Sequence, residues 1–199
     1  MLRRLSNYPS KKYLKNRGVN AAVRRKRGDI LKNKAERKSG VNMKQGIIYH
    51  GSQEIVQYPA IKIAKYQKDF YYGFYCTIMK EQAERWAVRY SGHGIINEYL
   101  YQPDTSLAIH QFNEMTEEWL DLIVACRLGK PHDYDIVEGP MANDTIFNYV
   151  QNFVDGKISR EAFWALAKFK KPTHQISFHT AKALTTLRFM KGYEVYDEE

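Results

Sequence analysis

The chain changes character near residue 46, and that change limits where a core can form. Residues 1–46 hold 15 lysines and arginines against two acids, Asp29 and Glu36, a net charge of +13. Residues 47–199 hold 16 basic and 20 acidic residues, a net charge of −4. The basic segment has few aliphatic side chains, with Leu2, Leu5, Val19, Val23, Ile30 and Leu31 among them. It cannot bury enough apolar surface to offset the entropy of ordering a chain. The core must come from the remainder of the chain. The sequence therefore divides into a basic leader, 1–45, expected to be poorly structured or helical, and a folded domain, 46–199.

The whole chain is 44% hydrophobic and 27% charged, which fits a globular protein. No apolar run reaches the roughly 18 residues that a membrane span needs. The leader has charges but no apolar segment after them, so it does not read as a secretory signal. Cys76 and Cys126 lack metal-type spacing and sit among apolar neighbours. They are expected to be buried free thiols. No other residue cluster has metal-ligand spacing, and no metal is expected.

Within the domain, short strands and helices mix without strict alternation, which predicts an α+β fold. Ile47–His50 reads as a strand stopped by Gly51. Residues 53–68 read as a loop with a short strand near 60–63. Phe70–Thr77 is aromatic and β-branched around a glycine, as expected of a strand or bent strand. Ala83, Trp86, Ala87 and Tyr90 recur at helical spacing. A strand is expected over 95–101 and another near 107–109. Thr116-Glu117-Glu118 opens a helix that carries Trp119, Leu122, Ile123 and Cys126. Strand 134–137, helices from 143–144 and from 159, strand 175–178, a helix from 180 and a last strand near 193–196 complete the pattern.

Three segments carry the candidate chemistry. His50 ends a strand, and Gly51 and Ser52 come directly after it. Glycine lets a ligand approach the backbone, and an imidazole beside it can bond ribose hydroxyls. In Gly73-Phe74-Tyr75, alternation puts Gly73 and Tyr75 on one face and Phe74 on the other. A tyrosine beside a glycine can offer a ring face for stacking. Gln175 heads a buried-type strand, where a polar side chain needs a partner. It cannot act as a general base, but it can orient a hydroxyl.

His50-Gly51-Ser52, Gly73-Phe74-Tyr75-Cys76-Thr77 and Gln175-Ile176-Ser177-Phe178 together resemble the ADP-ribosyltransferase superfamily, whose diphtheria-toxin-like branch uses a His-Tyr-Glu triad. With Gln82-Ala83-Glu84-Arg85-Trp86-Ala87, Glu118-Trp119-Leu120-Asp121, Tyr134-Asp135-Ile136-Val137-Glu138-Gly139-Pro140 and Ala142-Asn143-Asp144-Thr145, the chain looks like an uncharacterised bacterial domain family of that superfamily. The likeness covers roughly residues 46–190. It implies a split β-sheet with flanking helices that binds NAD as co-substrate. His50 would bond the adenosine-side ribose, Gly51 would bond the nicotinamide carboxamide through its backbone, Tyr75 would stack on the nicotinamide ring, and Ser52 and Gly73 would complete the cofactor-binding set. Gln175 stands where the superfamily carries its catalytic glutamate. Asp144 is the first substitute carboxylate and Glu138 the second. The usual Asp-Phe-Gly opening of the second motif is Asp69-Phe70-Tyr71 here.

The resemblance implies a mono-ADP-ribosyltransferase-like, toxin-like effector of the bacterial cytoplasm, able to pair with an antitoxin or inhibitor protein. Its acceptor would be a protein or a nucleic acid, and the basic leader favours the second. Two rivals stand beside it. One keeps the NAD or nucleotide site without catalysis, because the glutamate is missing. The other is a basic nucleic-acid-binding protein whose domain is a scaffold.

Overall fold

The computed structural model describes residues 45–63, 68–142, 144–167 and 172–197, without the side chains of Asp144 and Thr145. The leader, apart from its last residue, lies outside the described residues, as does Asn143. Among the described residues there are seven strands and five helices, a mixed α+β arrangement. In chain order these are β1 (Gly46–Ser52), β2 (Phe74–Cys76), α1 (Lys80–Val88), β3 (His93–Tyr101), β4 (Ile109–Gln111), α2 (Glu117–Arg127), β5 (Ile136–Gly139), α3 (Asp144–Val154), α4 (Arg160–Leu166), β6 (Gln175–Phe178), α5 (Ala181–Leu184) and β7 (Leu187–Tyr196).

The strands form two sheets. One is antiparallel in the order β1-β3-β7, and the other runs β2-β6-β5-β4 with β4 parallel to β5. Strand alternation gives the second sheet two buried faces. Phe74, Cys76, Ile136, Ile176 and Phe178 point toward the first sheet and pack with Ile48, Tyr99 and Tyr101. Tyr75 and Val137 point the other way, into a core closed by Trp119, Leu120 and Ile123 of α2, Ile146 and Val150 of α3, and Phe163 of α4. Helix α1 covers the outer face of the first sheet, its Ala83 and Ala87 packing with Ile96 of β3. Both cysteines are buried and free.

Local sequence explains most element ends. Thr116, Ser159 and Thr180 each accept a hydrogen bond from a backbone N–H three residues on, capping α2, α4 and α5. The expected strand over 70–77 is shorter, because residues 69–72 form a turn before β2. The expected last strand is longer: α5 is a single turn, and β7 starts at Leu187 to pair along β3. Glycine is required where α1 sits on the sheet. A Cβ at Gly51 would lie 2.2 Å from the Ala83 carbonyl oxygen, and one at Gly94 would lie 2.3 Å from that of Ala87. Among the described residues no helix is long and apolar enough to cross a membrane.

Candidate functional site

The two sheets meet at one point and then part. Tyr49 of β1 exchanges backbone hydrogen bonds with Thr77, at 2.8 and 2.9 Å. Beyond it the edge of β2 is taken by another segment, through a Lys62–Gly73 bridge. Between these contacts β1 diverges, and a side chain fills the gap. His50 Nδ1–H donates to the Tyr75 carbonyl at 2.7 Å, and its ring lies 4.4 Å from that of Phe74. Burial is the main cause that lowers the His50 pKa to about 4, so the imidazole is neutral at physiological pH. With Nδ1 donating to a carbonyl, Nε2 keeps its lone pair.

Parity fixes the backbone beside it. In an antiparallel pair, successive residues direct their N–H and C=O groups to opposite edges. Tyr49 uses the outer edge toward Thr77, so Gly51, two residues on, points its groups to the same edge and away from β3. Among the described residues nothing takes them. Ser52 is differently placed: its hydroxyl donates to the Glu54 carbonyl and accepts from Asn97 Nδ2. The buried Asn97 also bonds the Glu54 carbonyl and the Val56 N–H, and so pins the loop after β1.

Tyr75 and Gln175 belong to a second constellation, built around the turn at Asp69–Tyr72. Tyr71 there has φ +73°, the left-handed region where a side chain is strained by about 1–3 kcal/mol. This is the position that carries glycine in the resembling motif. Everything around the turn holds it. The Asp69 carboxylate pairs with Arg127 at 2.6 Å, accepts from the Ala142 N–H and takes the Gln175 amide at 3.2 Å. Tyr75 Oη accepts from the Phe70 N–H and donates to the Tyr71 carbonyl. His132 Nε2–H donates to the Phe70 carbonyl, and His179 Nδ1–H donates to that of Tyr72. Gly73 leaves room for this: a Cβ there would lie 3.0 Å from His179 Nδ1. Burial lowers the pKa of both histidines, that of His179 to about 4.

The ring of Tyr75 is therefore packed in the core, with the Lys68 ammonium 4.7 Å from its centroid. Stacking on a ligand needs Lys68 to move off that face. The Gln175 amide nitrogen is committed to Asp69 and to the Pro140 carbonyl.

The neighbouring His174 forms a third group. The Gln82 side-chain amide clamps the His174 backbone at both N–H and C=O. The Ile78 N–H donates to His174 Nδ1, so Nε2–H donates to Glu138 Oε1 at 2.8 Å. Among the described residues Glu138 Oε2 is buried without a partner, a costly state for a carboxylate oxygen. Asp144 opens α3, and its side chain lies outside the described residues.

The structure thus joins His50 to the Tyr75 backbone directly, and Tyr75 to Gln175 through the turn, which Tyr75 holds at Phe70 and Tyr71 and Gln175 holds at Asp69. It sets Ser52 apart, in the loop network. Asp69, Arg127, His132, His174 and His179 are polar centres that sequence patterns did not single out. Asp69, His174 and His179 stand inside or beside the three motifs; His132 and Arg127 give no local signal.

These features define the class: a two-sheet α+β domain with a polar seam where its sheets part. The chain belongs to a protein family of unknown function, described as DUF3990, which matches residues 47–189. Neither a curated protein nor a solved structure matches it.

Proposed function

We propose that this domain is an NAD-dependent, mono-ADP-ribosyltransferase-like enzyme acting at the seam between β1 and β2. The observation that carries the reading is the divergence of β1 after Tyr49. It leaves the Gly51 N–H and C=O on an unpaired edge, next to a neutral imidazole with one free lone pair. A carboxamide has one acceptor and two donors, and it matches such an edge. His50 Nε2 is suited to accept from a ribose hydroxyl.

In this reading the bond between the ribose C1′ and the nicotinamide nitrogen breaks, and nicotinamide leaves neutral. The acceptor nucleophile forms the new bond to C1′ and gives its proton to a base. Gln175 cannot take that proton. Glu138 Oε2 is a described carboxylate oxygen without a partner, and Asp144 is the other candidate. Positioning and electrostatic stabilisation of the oxocarbenium-like state supply most of the rate. The acceptor is a protein or a nucleic acid, and a toxin-like role with an inhibitor partner goes with the reading.

A second reading is favoured by one observation. The Gln175 amide nitrogen already serves Asp69 and Pro140, which suits a nucleotide-binding module without transfer. Incubating the full chain with NAD labelled in its adenosine half, and with cell lysate, separates the two. Label moving to a macromolecule, and lost in His50→Ala, supports transfer. Saturable NAD binding without transfer supports the module. No NAD binding overturns both.

A further inference from the structure

The clamped turn does more than complete the core: it presents Tyr71 and Tyr72 to a groove of about 580 Å³. That volume lies in the range of small-molecule sites. Tyr71 and Tyr72 line it together with His132, Asp133, Tyr134 and His179, and none of His50, Gly51, Ser52 or Gln175 does. A non-glycine residue at φ +73° persists only where its surroundings over-determine it, and such strain concentrates at ligand clamps. Here the surroundings do so from every side. Asp69, Phe70, Tyr71 and Tyr72 are each held by a hydrogen bond from another element. A glycine would satisfy the backbone without strain. The tyrosine adds a side chain, and Tyr71 lines the groove with its ring 4.6 Å from that of Tyr72.

The chemistry of the walls limits what fits. Among the described lining residues Asp133 is the one formal charge, with no lysine or arginine beside it. The two histidines add no positive charge. His132 donates through Nε2 and receives the Tyr134 N–H at Nδ1, so its neutral form uses both nitrogens. His179 has its Nδ1–H on the Tyr72 carbonyl and its Nε2 against Ser177 Oγ. A phosphate or carboxylate would find no counter-charge among these described residues. A planar ring would find tyrosine faces, and an amino group on it would find the Asp133 carboxylate.

We infer that this groove is a second binding site, separate from the seam, for a nucleobase that carries an exocyclic amino group. The base stacks on Tyr71 or Tyr72 and donates its amino hydrogen to Asp133. The inference stands on the groove alone and does not depend on the transferase reading.

Adenosine and inosine, which has a carbonyl in place of the amino group, are the probes. Each is titrated into the full chain by calorimetry. Adenosine is expected to bind saturably and more tightly than inosine. Tyr71→Gly should weaken it by about tenfold or more, as expected for a lost stacking partner, with an unchanged or raised melting temperature. Asp133→Asn should narrow the gap between the two nucleosides. No saturable adenosine binding at millimolar concentration would overturn the inference. So would affinity that is unchanged in both Tyr71→Gly and Tyr72→Ala. NAD displacing adenosine one for one, with His50→Ala weakening both, would merge the groove with the seam and overturn a separate site. A failure of NAD binding alone would leave the groove result intact and count only against the transferase reading.

Discussion

Replacing Gly51 by alanine tests whether this glycine serves packing, ligand binding or both. The new Cβ would lie 2.2 Å from the Ala83 carbonyl oxygen and 3.0 Å from the Ala87 nitrogen. Ordinary carbon–oxygen contacts begin at about 3.3 Å, so α1 must retreat by about 1 Å. Both obstacles are backbone atoms, and no rotamer change relieves them. Overpacking of this kind costs about 1–3 kcal/mol. Lower entropy of the unfolded chain returns about 0.4–1 kcal/mol, leaving a net loss of about 1–2 kcal/mol. Gly94→Ala meets the same helix, at the Ala87 oxygen. A helix already displaced by one methyl has less to lose to the second, so the double variant should cost less than the sum of the singles. Urea unfolding of the four proteins measures all three terms. NAD binding, if it uses the Gly51 backbone edge, should fall further than the stability loss explains. A Gly51→Ala variant as stable as the parent, or strict additivity with Gly94→Ala, would refute the helix-seat argument.

Three further outcomes rest on the same geometry. The His50 and His179 pKa values, lowered to about 4 in the fold from 6.5 when unfolded, mean that the unfolded chain binds more protons between those values. Stability is then full above about pH 6.5 and falls as the pH drops toward 4, by about 2 kcal/mol per histidine between pH 7 and 5; urea midpoints across that range check it. Arg127→Met leaves the buried Asp69 carboxylate without its 2.6 Å partner and should cost about 3–5 kcal/mol, read by thermal unfolding. Tyr75→Phe removes the acceptor for the Phe70 N–H and the donor to the Tyr71 carbonyl. It should cost about 1–3 kcal/mol and speed amide exchange at Phe70.

Much of the fold could be read locally. Thr116 and Ser159 capped the helices their types and spacing announced. Alternation put Tyr75 and Phe74 on opposite faces, and they enter different cores. The turn at Asp69–Tyr72 could not be read this way. Aromatic residues favour a strand there, and a tyrosine in the left-handed region contradicts every local preference.

The candidate site divides along the same line. Strand-end positions and the face each side chain takes were legible without a structure, because both are set by the two-residue period of an extended backbone. What each polar group bonds followed only from how the chain closes on itself. Gln175 finds Asp69 across 106 positions, and His174 finds Gln82 across 92. The same held for Gly51, whose missing Cβ makes room for α1 while its backbone edge stays open. Such pairings depend on how two sheets and their helices close on each other, and burial then compels each donor to take whatever acceptor is in reach.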